Sequence, residues 1–190
     1  MNPIFFGRSM ANQNKGIVKK GWGEKCSMGM THEKLKELLS KKLHEKFSQE
    51  WSASISSQTG SLRFYKTFKS DFAREKYLDF INCYKLRRVI SKFRCSDHKL
   101  EIEIGRRKKV VENERRCQVC MNDVESEVHF LANCPPYQKL RLKYFGINIQ
   151  GNITDIMKCS TRVASFNLAN YLSKAYDIKG HCLKIMTYFV

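Results

Sequence analysis

From Thr31 onward the apolar residues Leu35, Leu38, Leu39, Leu43, Phe47 and Trp51 recur every three or four positions, the period of a helix with one apolar stripe. Thr31 stands where an N-cap belongs, and Glu37 lies one turn before Lys41. The serine-rich stretch Ser52 to Ser61 interrupts the stripe and predicts a loop. A second helical segment is expected with Leu62, Tyr65, Phe68 and Phe72 on one side. A third uses Tyr77, Leu78, Ile81, Leu86, Val89, Ile90 and Phe93. Leu100-Glu-Ile-Glu-Ile104 alternates with period two and locally favours a strand, but so short a run does not decide between strand and helix. Gly105 is expected to end it either way. A short helix over Tyr137 to Phe145, a turn bracketed by Gly146 and Gly151, and a last amphipathic helix over Val163 to Ile178 complete the pattern, while the closing HCLKIMTYFV assigns itself to nothing. Short connections favour antiparallel neighbours. The expected fold class is therefore mainly α, a small antiparallel helical bundle.

Composition bounds the picture next. The chain has 190 residues, 42% of them apolar, enough to bury a core. Its 35 Lys and Arg against 18 Asp and Glu give a formal charge of +17, which attracts polyanions: RNA, DNA or an anionic membrane surface. No apolar run reaches the roughly 18 to 20 residues of a spanning helix, and the patch in MNPIFFGRSMANQNKG is too short for a secretory signal. A soluble intracellular protein, nuclear or cytoplasmic, with neither a membrane nor a small-molecule substrate as partner, is the expectation. Residues 1–30 have no acid before Glu24 and read as a disordered basic tail. Residues 31–113 read as a helical basic region, 114–140 as a metal module and 141–190 as a C-terminal helical segment.

The eight cysteines change the picture most. Cys117, Cys120, His129 and Cys134 form a C-x2-C-x8-H-x4-C array. Three thiolates and one imidazole suit one four-coordinate zinc ion, and four protein ligands leave no open position, so the zinc would be structural. The C-x-x-C half predicts a tight turn, and EVHFLANC a short helix delivering His129, with Cys134 just beyond its end where Pro135 and Pro136 stop propagation. Gln118, Val119 and Phe130 are expected around the ion. Cys26, Cys83, Cys95, Cys159 and Cys182 lack ligand spacing and read as ordinary thiols.

Charge is uneven about this array. Between Cys117 and Cys134 stand Asp123, Glu125 and Glu127 and no Lys or Arg, whereas residues 85–116 hold twelve Lys or Arg against five acids. The module reads as an acidic brace between basic flanks. Candidate phosphate contacts are Arg87, Arg88, Lys92 and Arg94 on the third helix, Arg106, Arg107, Lys108 and Lys109 before the array, and Arg115, Arg116, Lys139, Arg141 and Lys143 beside it. Tyr137 and Tyr144 lie among these charges as candidate base-stacking rings. His98, between Asp97 and Lys99, is a candidate helix cap.

The segment from about Leu35 to Ile178 resembles the region downstream of the polymerase in reverse transcriptases of non-LTR, LINE-type retrotransposons. The matches are EKYLDFINCYKLRRVISKFRCSDHKLEIEIGR, CQVCMNDVESEVHFLANCPPYQKLR and YLSKAYDIK, with H-F-L-x-x-C-P-x-Y at His129 to Tyr137 the most specific. The resemblance implies a helical extension followed by a CCHC zinc module that helps grip element RNA or target DNA. It also implies that His98 to Gly105 is helical, against the local alternation. Polymerase chemistry needs paired aspartates to hold two metal ions, and no Asp-Asp pair occurs. The chain is thus expected to be a non-catalytic binder of RNA or of single-stranded or target DNA. The alternatives are a protein-interaction module and an accessory subunit acting in trans with a retroelement polymerase.

Overall fold

A computed structural model of the chain describes residues 31–56, 62–146, 149 and 153–187. The expected basic tail over 1–30, the serine loop from 57 to 61 and most of the turn between Gly146 and Gly151 lie outside the described residues. The chain divides into two units, one up to Gln49 and one from Glu50.

Helix α1 is His32–Ser56. Thr31 caps it: the Lys34 N–H donates to Thr31 Oγ1 at 3.4 Å and the Leu35 N–H to the Thr31 carbonyl at 3.1 Å. In the first unit, the stripe residues Leu35, Leu39, Leu43 and Phe47 are half-buried. The helix continues past Trp51 into the serine stretch, where Ser56 Oγ donates to the Ser52 carbonyl at 2.7 Å, i to i−4 along the helix.

In the second unit the segment from Leu62 to Phe72 is not a helix but a single 3-10 turn, Tyr65–Thr67, followed by irregular chain. Its aromatic rings serve the core directly: Phe64 lies 5.4 Å from Phe68 and 5.9 Å from Phe93, ring centre to ring centre. The expected third helix is two, α2 (Tyr77–Phe80) and α3 (Tyr84–Arg94), separated by Ile81 in extended conformation. Ile81 is fully buried. Arg87 makes the break tolerable by donating to the Leu78 carbonyl at 2.8 Å and to that of Ile81, satisfying groups that the interrupted helix leaves open.

Helix α4, Glu101–Arg107, replaces the strand that alternation favours. Both phases of the alternation are interior: Ile102 packs in the core, and Glu103 is buried against Arg63 and Arg106, whose guanidinium nitrogens lie 2.9 and 2.7 Å from its carboxylate. Gly105 lies inside the helix rather than ending it. The actual stop is Lys109 at φ 59°, with Val110 N–H donating to the Gly105 carbonyl and Lys109 N–H to that of Arg106. This is a Schellman closure with lysine where glycine is usual. Ser96, φ 54°, ends α3 in the same way.

Helix α5 is Gln138–Phe145, closed by Gly146 at φ 82°. Helix α6 is Ile153–Lys158 and α7 is Arg162–Thr187, which runs well past Ile178 and absorbs most of the unassigned C-terminal stretch. α7 packs on α2, α3, α5 and α6, so its buried Leu168, Ala169, Tyr171, Leu172 and Ala175 form the middle of the core. The protein is mainly helical. Among the described residues there is one isolated antiparallel bridge, Arg116 to Val124, and no helix is long and apolar enough to cross a membrane.

Candidate metal centre

The four residues of the array converge as their spacing requires. The bridge at Arg116 and Val124 folds the C-x-x-C segment into a tight hairpin, with Cys117 N–H donating to the Asp123 carbonyl and Met121 N–H to the Cys117 carbonyl, each at 2.8 Å. His129 opens a π turn, His129–Asn133, started by Ser126, whose Oγ accepts the His129 N–H at 3.0 Å. The turn closes from the Cys134 N–H to the His129 carbonyl at 2.8 Å, five residues apart. An α-helix would carry Cys134 about 140° round the axis from His129. The wider turn returns it toward the same side. Cys134 itself is extended, and Pro135 then starts a 3-10 turn leading into α5, so the prolines both end one turn and begin the next.

The donor atoms of Cys117, Cys120, His129 and Cys134 all lie within 4.8 Å of one another. Cys117 Sγ and Cys134 Sγ are 3.8 Å apart, and Cys120 Sγ and His129 Nε2 are 3.3 Å apart. Tetrahedral coordination at ordinary zinc–sulfur and zinc–nitrogen lengths places such pairs at about 3.8 and about 3.5 Å. The group can hold a metal ion. His129 Nδ1 gives an independent sign: it is buried without a hydrogen bond, and the Asp123 carboxylate stands 3.5 Å away. That is the position of the outer carboxylate that commonly orients a metal-bound imidazole. The hydrogen bond between Cys117 and Cys134 draws the Cys117 thiol below its usual range and pushes that of Cys134 above it.

Behind the ligands lies a shell that spacing did not reveal. Glu125 is fully buried and takes Lys179 of α7 on its two oxygens at 2.7 and 2.5 Å, together with the Glu101 N–H at 2.8 Å. Burial pushes its carboxyl up, against the pull of Lys179. Glu127 accepts two hydrogen bonds from Arg63, at 2.8 and 2.9 Å, and one from His98 Nε2 at 3.1 Å. Burial alone would raise Glu127, but the His98 hydrogen bond and the Arg63 charge outweigh it and hold the carboxyl below its usual value. His98 is buried and caps no helix: its Nδ1 accepts the N–H of Leu100, the residue before α4, at 3.4 Å. The expected acidic brace therefore exposes only Asp123, because Glu125 and Glu127 are interior and paired. The sole signal in the sequence was a pair of acids flanked by apolar residues.

Phe130 packs among rings: Phe93, Tyr137, Tyr171 and Tyr176 surround it at centroid distances of 5.9, 4.9, 6.3 and 5.2 Å. The Tyr171 hydroxyl donates to the Phe130 carbonyl at 2.7 Å and approaches that of Leu131, satisfying the π turn from α7. Gln118 and Val119 are half-buried beside the ligands.

The basic candidates divide in two. Arg94 is interior: its guanidinium meets Glu75 at 2.6 Å, donates to the Met157 carbonyl and lies 4.5 Å from the centre of the Phe68 ring. Arg141 is buried and donates to the Cys134 carbonyl at 2.6 Å. Arg115 holds the Val110 and Ile102 carbonyls, Arg87 those of Leu78 and Ile81, and Arg106 pairs with Glu103. Tyr137 is fully buried, and desolvation raises its phenol. Arg94, Arg141 and Tyr137 are thus buried within the fold, while Arg87, Arg106 and Arg115 are half-buried and each holds a partner inside it. Arg88, Lys92, Arg107, Lys108, Lys109, Arg116, Lys139 and Lys143 remain exposed. Tyr144 is half-buried, with the Lys143 ammonium 5.5 Å from its ring centre. No family model, curated protein or solved structure matches the chain.

Proposed function

We propose that the metal is zinc and that the protein is a non-catalytic nucleic-acid binder whose metal-fastened helical fold presents exposed Lys and Arg to a phosphate backbone. Three thiolates and an imidazole favour zinc over the hard cations that prefer oxygen. The observation that carries the binding reading is the sorting of the basic residues: Glu103, Glu125 and Glu127 are interior and paired, while Arg107, Lys108 and Lys109 stand exposed at the end of α4. The same reading follows from the resemblance to the nucleic-acid-gripping region of LINE-type reverse transcriptases, where the chain would act alone or in trans with a polymerase. A protein partner attracted to an acidic module finds little there, since only Asp123 of its three acids is exposed.

The test is binding of the metal-loaded chain to a structured RNA, a single-stranded DNA and a duplex at several salt concentrations. Affinity should fall steeply with salt, the slope growing by about 0.9 per phosphate contact on duplex. Reversal of Arg107, Lys108 and Lys109 to Glu should weaken all probes and flatten that slope. Binding that is flat in salt, or indifferent to the reversal, would refute the backbone-contact reading.

A further inference from the structure

Helix α3 has the sequence YKLRRVISKFR, with no acid in it. Ile90, Phe93 and Arg94 are its buried positions, while Tyr84, Lys85, Arg88 and Lys92 are exposed. At 100° per residue these four fall within one arc of about 100°, opposite the core. Tyr84 is 70% exposed, the most exposed large apolar side chain among the described residues. Its exposed neighbours on the helix are cations rather than other apolar groups, so the ring is not the centre of an apolar docking patch.

The surroundings give this face length and rigidity. Arg87 ties the first turn of α3 to the carbonyls of Leu78 and Ile81, which fixes the turn that carries Tyr84. Tyr84, Arg88 and Lys92 are four residues apart, about 6 Å per step along the axis. Beyond them Asp97 draws the Lys92 ammonium to 3.4 Å and the Arg107 guanidinium to 3.9 Å, so the row runs on into the basic end of α4. Asp97 is itself exposed, at the end of the row.

We infer that this face of α3 is a platform for single-stranded nucleic acid, with Tyr84 stacking on an unpaired base while Arg88 and Lys92 hold the neighbouring phosphates. The inference rests on the nucleic-acid reading above and narrows it. A ring standing off a helix reaches the flat of a base only when that base is unpaired, whereas cations alone would serve duplex and single strand alike.

The experiment measures binding of the full metal-loaded chain to a thymidine homo-oligomer and to an abasic oligomer of equal length, which keeps the phosphates and lacks the bases. Tyr84→Ala should weaken the thymidine oligomer about fivefold or more and leave the abasic one unchanged. Tyr84→Phe should restore the loss, and Arg88→Gln should weaken both and reduce the salt slope by about one contact. Because Tyr84 and Arg88 are exposed, all three variants should fold. Equal loss on both oligomers, or none with Tyr84→Ala, overturns the platform while leaving salt-dependent phosphate binding standing. Failure of both oligomers to bind while duplex or structured RNA still binds overturns the platform alone, and failure of every nucleic acid to bind overturns both.

Discussion

Single residues in this fold do work that their type alone does not announce. Gly105 sits where a Cβ would lie 2.5 Å from Arg115 Cγ and 2.8 Å from Cδ. The Arg115 stem cannot step aside freely, because its guanidinium holds two carbonyls at 2.8 to 3.0 Å. Gly105→Ala gains about 1 kcal/mol of helix propensity, yet overpacking costs about 1–3 kcal/mol and the displaced hydrogen bonds add to it. A net loss of about 1–2 kcal/mol in urea unfolding is expected. Lys109→Gly should go the other way, raising stability by about 0.5–1 kcal/mol by relieving a left-handed lysine, while lowering nucleic-acid affinity if its charge touches phosphate. A measured loss of stability would mean that the Lys109 side chain carries packing that its exposure conceals.

At the scale of elements, the metal hairpin and the π turn depend on each other. Cys134→Ser should abolish stoichiometric zinc in a thiol-competition assay, and Cys83→Ser should leave it intact. Tyr171→Phe removes one hydroxyl that serves the Phe130 and Leu131 carbonyls and should cost about 1–2 kcal/mol, with weaker zinc retention because the turn carries both His129 and Cys134. Unchanged zinc affinity in that variant would separate the turn from the ligands. The ligand set was legible in the sequence because metal spacing is local. The π turn was not, since the carbonyls of Phe130 and Leu131 within it are served by Tyr171, some forty residues downstream. Periodicity found α1, α5 and α7 by position. It failed at Leu62 to Phe72, where the rings fill the core from a single turn, and it merged α2 with α3, because the break at Ile81 is repaired by Arg87 rather than marked by glycine or proline.

Across the molecule, the candidate metal site is built into the core of the second unit. Cys117, Cys134 and Phe130 are fully buried in the same cluster as Phe93 and Tyr171. Chelation should therefore lower the thermal midpoint of the whole second unit in one cooperative transition. A separate low-temperature transition confined to residues near the hairpin would show that the site folds independently. The Glu125 and Lys179 pair fastens α7 to the hairpin, so Lys179→Met should cost about 3–5 kcal/mol by stranding a buried carboxylate, and joining it with Glu125→Leu should recover most of the loss. The sequence by itself determined the helical class, the start of α1, the candidate metal-ligand set and the basic excess, because periodicity, capping, ligand spacing and charge are written in neighbouring residues. Only the tertiary structure decided which cations reach solvent and which are bound inside. Arg94 and Arg88 look alike along the chain, but one faces Glu75 and the aromatic core and the other faces water, and that depends on partners folding brings from distant segments.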